Sequence, residues 1–326
     1  MFVNSKKLWQ KISSAVICFA VSLFSGCSLF PKEKITIPVA MATDANYVLP
    51  TVVAMTSLFE NAGKSTTYKV KVLVPGNMNE ESKAKMKSLE KKYGRHTVDF
   101  HDMKDAFSDS FVSRDITVAS YYRLKLPTIF GEEKRCLWLD GDIIVLHDLT
   151  SLYNIGVDDY YWAGVPDEPR VNEIMRTTAF EDHSKYVCAG ITVLNLERMR
   201  KDGLEERFIE TVNEKQSLLN YHDQDVLNYV CFDGILDLPL KYGIFSRWLS
   251  EPDYEKNEIV KKLFSKKEWN EAVSDPYIIH FAAVKPWKNL NTARYYLWWD
   301  YAQKTDFYKE ITETYKEAFS GLRASP

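Results

Sequence analysis

The chain has 326 residues, 45% of them hydrophobic, enough for one large α/β domain or two small ones with a sizeable core. A net charge of −3 excludes a general field for attracting nucleic acid. Cys18, Cys27, Cys136, Cys188 and Cys231 are odd in number and widely spaced, which excludes a disulfide framework or a zinc spacing; the last three read as buried small hydrophobes.

In chain order, Lys6, Lys7 and Lys11 precede an apolar run from Ile12 to Phe30, so residues 1–30 read as a signal sequence or signal anchor, of borderline length for a transmembrane helix. Leu23-Phe24-Ser25-Gly26-Cys27 resembles a bacterial lipobox, with Phe24 where Leu is preferred. A lipid on Cys27, a retained anchor, and a true start near Met41 are the three alternatives.

The domain is expected over residues 35–320. Ile35–Met41 is an apolar run of strand length. Asp44-Ala45-Asn46 follows as a polar turn, and a helix is expected to begin at Pro50 and end at Gly63. Val70–Val74 predicts a second strand. Glu81–Tyr93 predicts a polar helix with Met86, Leu89 and Tyr93 on one face, closed by Gly94, and Val98 and Phe100 mark a third strand. This order argues for a parallel sheet with right-handed crossovers. A helix is expected over Thr117–Leu124, ended by Pro127. Further strands are expected at Cys136–Leu139, Trp162–Val165, Ile191–Leu196, Ile235–Leu238 and Tyr277–Phe281, a variable excursion at Asp253–Val273, and a terminal helix at Thr305–Phe319. Asn61-Ala62-Gly63-Lys64-Ser65 looks like the end of a phosphate loop. Leu58 stands where its first glycine is needed, and the segment follows a helix where a phosphate loop precedes one.

Trp138-Leu139-Asp140-Gly141-Asp142 carries the most chemistry. Carboxylates two residues apart on extended chain point to one side, and Gly141 lets the backbone bend so that both approach one cation. They leave the carboxyl end of an apolar strand, where open α/β sheets bind ligands. Hard oxygen donors select Mg²⁺ or Mn²⁺, which bridges a diphosphate as a nucleotide leaves. A solvated Asp-Gly-Asp turn is the bland alternative, disfavoured by the apolar strand before it and Ile143-Ile144-Val145-Leu146 after it.

With these residues in place, the chain resembles glycosyltransferase family 8, the retaining family of bacterial lipopolysaccharide galactosyl- and glucosyltransferases and of glycogenin, from about Ile35 to its C-terminal helix. The resemblance implies a GT-A fold, a Rossmann-like nucleotide-binding α/β domain with a mixed central sheet. It rests on several ordered blocks. In Ala42-Thr43-Asp44-Ala45-Asn46-Tyr47 it implies a uridine site, with Ala42, Asp44 and Asn46 at the base and Tyr47 stacking on it; a helix-capping turn is the plain alternative. In Ser120-Tyr121-Tyr122-Arg123-Leu124 it gives Arg123 a reach to donor sugar and phosphate, against the commoner fate of a surface ion pair. In Tyr186-Val187-Cys188-Ala189-Gly190-Ile191, Ala189 and Gly190 leave room for the sugar, while Cys188 replaces an Asn that hydrogen-bonds it in the family.

In His222-Asp223-Gln224-Asp225, Asp223 would hold a donor-sugar hydroxyl and Gln224 would lie beside the anomeric carbon; a capped core helix is the alternative. An amide has no basic site at neutral pH, so same-face attack within an ion pair is preferred to a covalent intermediate. In Ile278-Ile279-His280-Phe281-Ala282-Ala283-Val284-Lys285-Pro286-Trp287, His280 would complete the metal shell with Asp140 and Asp142, and Lys285 would neutralise the diphosphate. The loop lacks the family's glycine and is one residue shorter.

The expected reaction moves glucose or galactose from a UDP-hexose to a glycan or lipid-linked sugar with Mn²⁺ (or Mg²⁺), membrane-associated through residues 1–30. The lysines favour a domain outside the cytosol, whereas donor supply favours the cytosolic face. A catalytically impaired, membrane-tethered nucleotide- or carbohydrate-binding protein is the second hypothesis. A sugar nucleotidyltransferase is disfavoured because Asp44–Pro50 contains no Gly- and Arg-rich loop.

Overall fold

The apolar run after Lys34 forms strand β1, Ile35–Ala42, and five of its residues are fully covered in sequence from Ile37 to Met41. The structure, a computed structural model, describes residues 34–110, 112, 117–168 and 185–319. The expected signal or anchor segment lies outside them. Ile35–Pro326 separates as one compact unit from Met1–Lys34. Among the described residues no helix is long and apolar enough to cross a membrane.

Helix α1 is Val48–Glu60, two residues earlier than Pro50 announces. It is buried on every side from Val48 to Phe59, because it lies against a neighbouring polar helix, a second small sheet and a late helix at once. Strand β2, Thr66–Val74, is four residues longer than its apolar core and alternates covered and open positions along its first half. Gly63 does not cap α1; Asn61 does, and Gly63 approaches Asp148 closely, with its N–H donating to the Asp148 carboxylate at 2.8 Å.

Helix α2, Glu80–Tyr93, shows why a mostly polar segment folds. Asn79 accepts the Ser82 N–H at 2.7 Å, Glu80 and Glu81 face the positive end, Lys91 and Lys92 the negative end, and Gly94 closes it at φ 65°. Met86 and Leu89 form its buried stripe.

The remaining elements, in chain order, are β3 (Thr97–Asp102), a 3₁₀ turn (Val118–Lys125), α3 (Leu126–Ile129), β4 (Arg135–Leu139), β5 (Ile143–Val145), α4 (Thr150–Tyr153), β6 (Trp162–Pro166), β7 (Val187–Asn195), α5 (Leu196–Lys201), α6 (Leu204–Lys215), α7 (Asp223–Val230), β8 (Ile235–Asp237), β9 (Ile244–Phe245), α8 (Glu258–Leu263), α9 (Lys266–Ser274), β10 (Ile278–His280), α10 (Tyr295–Gln303) and α11 (Tyr308–Thr314).

The large sheet runs β3-β2-β1-β4-β7-β6-β8. Its first four strands are parallel, as expected, but β7 is antiparallel to both neighbours, so the sheet is mixed. A second sheet, β5-β10-β9, stands beside it.

Three expectations are corrected. Pro127 does not stop the preceding turn; it sits in the first turn of α3, where its missing N–H costs nothing. Asp253–Val273 is no loose excursion: Val260, Phe264, Trp269 and Ala272 are buried, and α9 begins with a full capping box between Ser265 and Glu268. The C-terminal end holds two helices where one was expected, because the Tyr-Tyr-Leu-Trp-Trp run of α10 packs on α1.

His96 shows how the core uses a histidine structurally. Its Nδ1 accepts the Tyr68 N–H at 3.0 Å, and its ring stacks on Phe59 at 4.4 Å. Burial, with the Arg95 charge beside it, lowers its pKa to about 4. The unfolded chain therefore protonates first, and stability present at neutral pH is lost as pH falls through 6.5 toward 4. We expect up to about 2–3 kcal/mol of such loss. Urea unfolding of wild type and His96→Leu across that range checks it; equal slopes would show that His96 contributes none of the dependence.

Candidate active site

The chain changes sheets at Asp140-Gly141-Asp142. Strand β4 ends at Leu139 in the large sheet, and β5 begins at Ile143 in the small one. Gly141 is needed here for close approach and not for a left-handed bend: a Cβ would lie 2.8 Å from Thr51 Oγ1 and 3.3 Å from the Tyr47 ring. The crossing leaves Asp140 over β7 and Asp142 over β10, and in the small sheet His280 pairs with Ile143. His280 Nε2 lies 3.2 Å from Asp142 Oδ1 and 3.7 Å from Asp140 Oδ2.

One donor atom from each of Asp140, Asp142 and His280 falls within 4.8 Å of the others, so one cation can reach all three. Two hard carboxylates with one imidazole suit Mn²⁺ or Mg²⁺. Gly190 forms the floor: a Cβ there would lie 2.8 Å from Asp140 Oδ2 and 3.0 Å from His280 Nε2, in the space where the donors converge.

Asp140 is aimed by its own neighbours. Its Oδ1 accepts from Trp138 Nε1 at 2.7 Å and from Arg123 Nη2 at 2.9 Å, which turns Oδ2 toward His280. Arg123 is not a surface ion pair. It is buried, lies over the Trp138 ring at 4.3 Å, and also donates to the Ala189 carbonyl and, through Nε, to Asp223 at 2.8 Å. It therefore joins the metal-side carboxylate to Asp223 at the start of α7.

Gln224 turns its amide oxygen onto the Ala189 N–H at 3.0 Å, and Asn228 brackets Val187 through both its N–H and its carbonyl, at 2.9 and 2.8 Å. These bonds staple α7 to the first residues of β7. Asp225 holds the turn before α7 by accepting the N–H groups of Asn220 and Tyr221, both at 2.6 Å, and the Tyr186 hydroxyl. Asp225→Ala would remove the carboxylate that accepts two backbone N–H groups and a buried hydroxyl, and we expect it to cost about 3 kcal/mol in denaturant unfolding; a loss under about 1 kcal/mol would show that water replaces the carboxylate.

The cluster stands where two cavities meet. The larger, about 470 Å³, is lined by Cys188, Gln224 and Arg247 among others; the smaller, about 160 Å³, by Ala42, Asp44 and Tyr47; Ser120, Arg123, Asp140, Asp142 and Lys285 line both. The Glycosyl transferase family 8 model matches residues 38–291, and every one of these residues lies inside that match. The chain belongs to glycosyltransferase family 8.

General stress protein A of Bacillus subtilis is 29% identical over 272 residues, covering 81% of this chain and 91% of that one. A lipopolysaccharide 1,2-glucosyltransferase of Escherichia coli K12 is 27% identical over 173 residues, covering 52% of this chain and 49% of the relative, so this chain spans about half of that enzyme. The solved galactosyltransferase LgtC, in complex with donor and acceptor sugar analogs, superposes with a TM-score of 0.72 at 20% identity, over 86% of this chain and all of that one. The fold is GT-A, with the mixed central sheet expected of it.

Within the family 8 domain, charge is distributed unevenly. Burial works to raise the Asp142 pKa, but Lys285 and His280 hold it well below the usual carboxylate range. Burial lowers His280, and Asp142 outweighs it and raises it. Asp223 is pushed up to about 6 by burial, with Arg123 opposing. The Lys285 ammonium rests on Asp142 and on the Phe281 carbonyl, 3.1 Å away. In the loop after His280, Ala283 takes a left-handed conformation at φ 72°, one that a glycine would adopt without strain.

Not every anticipated residue lines the cavities. The Asn46 side chain is exposed, and its backbone N–H closes a turn on Asp44 Oδ1 at 2.8 Å; Asp44 does not cap the helix, whose N-cap is Tyr47 with no side-chain cap bond. Tyr47 packs edge-on against Trp287 at 5.5 Å. The sequence reading missed Asp167, Tyr221, Phe245 and Arg247, which line the larger cavity. Asp167 and Arg247 pair at 2.6 Å across 80 residues, and no local pattern announces either.

Proposed function

We propose that this family 8 chain transfers a hexose, glucose or galactose, from its UDP-sugar to a glycan or lipid-linked sugar acceptor, with the donor's α configuration kept. Mn²⁺, or Mg²⁺ as the other hard dication that suits the donors, would be held by Asp140, Asp142 and His280. The observation that carries this reading is the convergence of those three donors, within 4.8 Å, at the junction of two cavities. A relative named a glucosyltransferase and a structural neighbour named a galactosyltransferase support the choice of hexose.

A bound dication would bridge a diphosphate and offset its charge as it leaves. The chain's own residues divide the remaining work. The smaller cavity, with Asp44 and Tyr47, suits a nucleoside; the larger suits donor sugar and acceptor. Asp223, tied to Arg123, is mostly ionised at neutral pH and able to accept a sugar hydroxyl. Gln224 has its oxygen committed to the Ala189 N–H, which further disfavours it as a nucleophile and favours same-face substitution through an ion pair. Lys285, now on Asp142, is within reach of an anion at the cluster and would be shared with a leaving phosphate. Membrane association would come from residues 1–30, with the domain on the cytosolic face where the donor is supplied.

A second reading, a binding protein without turnover, is favoured by the commitment of Arg123 and Lys285 to protein carboxylates. UDP release from UDP-glucose and UDP-galactose, with Mn²⁺ and with EDTA, separates the two. Mn²⁺-dependent release supports transfer; UDP binding with no release from either donor supports the second reading.

A further inference from the structure

Cys188 touches the cluster from behind. Its sulfur lies 3.8 Å from His280 Nδ1 and 3.4 Å from the Gly190 N–H. Among the described residues, no other polar atom bonds that ring nitrogen. The thiol is 5% exposed, and it lies on the opposite edge of the imidazole from Asp142. Phe245 stacks on the same ring at 5.3 Å, so the imidazole is held on one face and at both nitrogens.

We propose that Cys188 is a positioning residue for His280, its sulfur accepting a hydrogen bond from Nδ1–H so that Nε2 keeps a lone pair for a cation shared with Asp140 and Asp142. The inference rests on the reading of that trio as a cation site. A neutral imidazole carries one proton, and the nitrogen that binds a cation must be bare, so the proton belongs on Nδ1. A buried N–H without an acceptor is costly, and the sulfur is the acceptor present. The Gly190 N–H can only donate, so the sulfur already turns a lone pair toward this end of β7. With the proton placed the other way, Nε2 would be blocked. Carboxylate, carbonyl or water partners behind a metal-binding histidine are worth roughly 10–100-fold in metal affinity, and a sulfur, a weaker acceptor, falls at the lower end of that range.

The test is an EPR-monitored Mn²⁺ titration, with UDP present, of wild type, Cys188→Ala and Cys188→Ser. Cys188→Ala is expected to weaken Mn²⁺ binding about tenfold, while the protein stays folded and metal-free UDP affinity stays as in wild type. Cys188→Ser, which keeps an acceptor, recovers most of the loss. Mn²⁺ binding by Cys188→Ala as tight as wild type overturns the inference and leaves the cation site standing, as does equal weakening in both variants. Wild type that binds no Mn²⁺ overturns both together. As a check that needs no variant to fold, ¹⁵N shifts of His280 in Mg²⁺-loaded wild type should report the proton on Nδ1; a proton on Nε2 overturns the proposal.

Discussion

Asp142→Asn should lower UDP-sugar turnover by about 10³-fold or more, while the protein stays folded. The size follows from what the carboxylate does. It is one of three converging donors, it carries the Lys285 ammonium, and it lies 3.2 Å from His280 Nε2. An amide of the same shape offers one neutral oxygen, too weak a ligand for a hard dication. A loss of 10³ corresponds to about 4 kcal/mol of transition-state stabilisation, the scale seen when a group that offsets developing charge is removed.

Stability should fall as well. Asn leaves the largely buried Lys285 ammonium without its counter-charge, and removing one partner of a buried ion pair costs up to about 3–5 kcal/mol, partly offset here by the amide that remains as a hydrogen-bond acceptor. UDP release, circular dichroism and the thermal shift on adding Mn²⁺ check the three parts. A variant that melts normally and turns over within about tenfold of wild type would remove Asp142 from the centre of the reaction.

Gly190→Ala should disable the site almost as thoroughly by adding one methyl group. The new Cβ would sit 2.8 Å from Asp140 Oδ2 and 3.0 Å from His280 Nε2 and would also press on the ring carbon between its nitrogens. Neither neighbour has room to retreat. Asp140 is fixed through its other oxygen by Trp138 and Arg123, and His280 is backed by Phe245 and Cys188. Gly190 has no left-handed backbone, so alanine suits the strand itself, and overpacking should cost about 1–3 kcal/mol. Displacing the donors by even about 1 Å should lower activity by roughly 100-fold or more. Turnover and Mn²⁺ affinity measured on a variant shown to be folded test this; wild-type values for both would mean that the convergence at Gly190 is not where the chemistry occurs.

Much of the frame was legible because it depends on local chemistry. The apolar run of β1, the capped polar helix α2 and the acid pair at the end of β4 each carry their signal within one short, continuous stretch of sequence. The trio was legible only by joining Asp140 and Asp142 to a histidine 138 positions later, and the resemblance of ordered blocks supplied that link. What stayed hidden depends on distant partners. Arg123 is buried because acids 17 and 100 positions away neutralise it, and nothing around Ser120–Leu124 states that. That β4 and β5 join different sheets is hidden too: Asp140-Gly141-Asp142 marks a break, but the apolar runs on either side of it are buried whichever sheet they join. Asp253–Val273 was misread because its charges outnumber the few buried residues that anchor it.

The central claim is that one cation is gripped jointly by Asp140, Asp142 and His280. Anomalous diffraction from crystals grown with Mn²⁺ and UDP tests it most directly. A single manganese peak about 2.0–2.3 Å from an oxygen of each acid and from His280 Nε2 is the predicted result. Manganese bound elsewhere, or bound with His280 turned away, would contradict it.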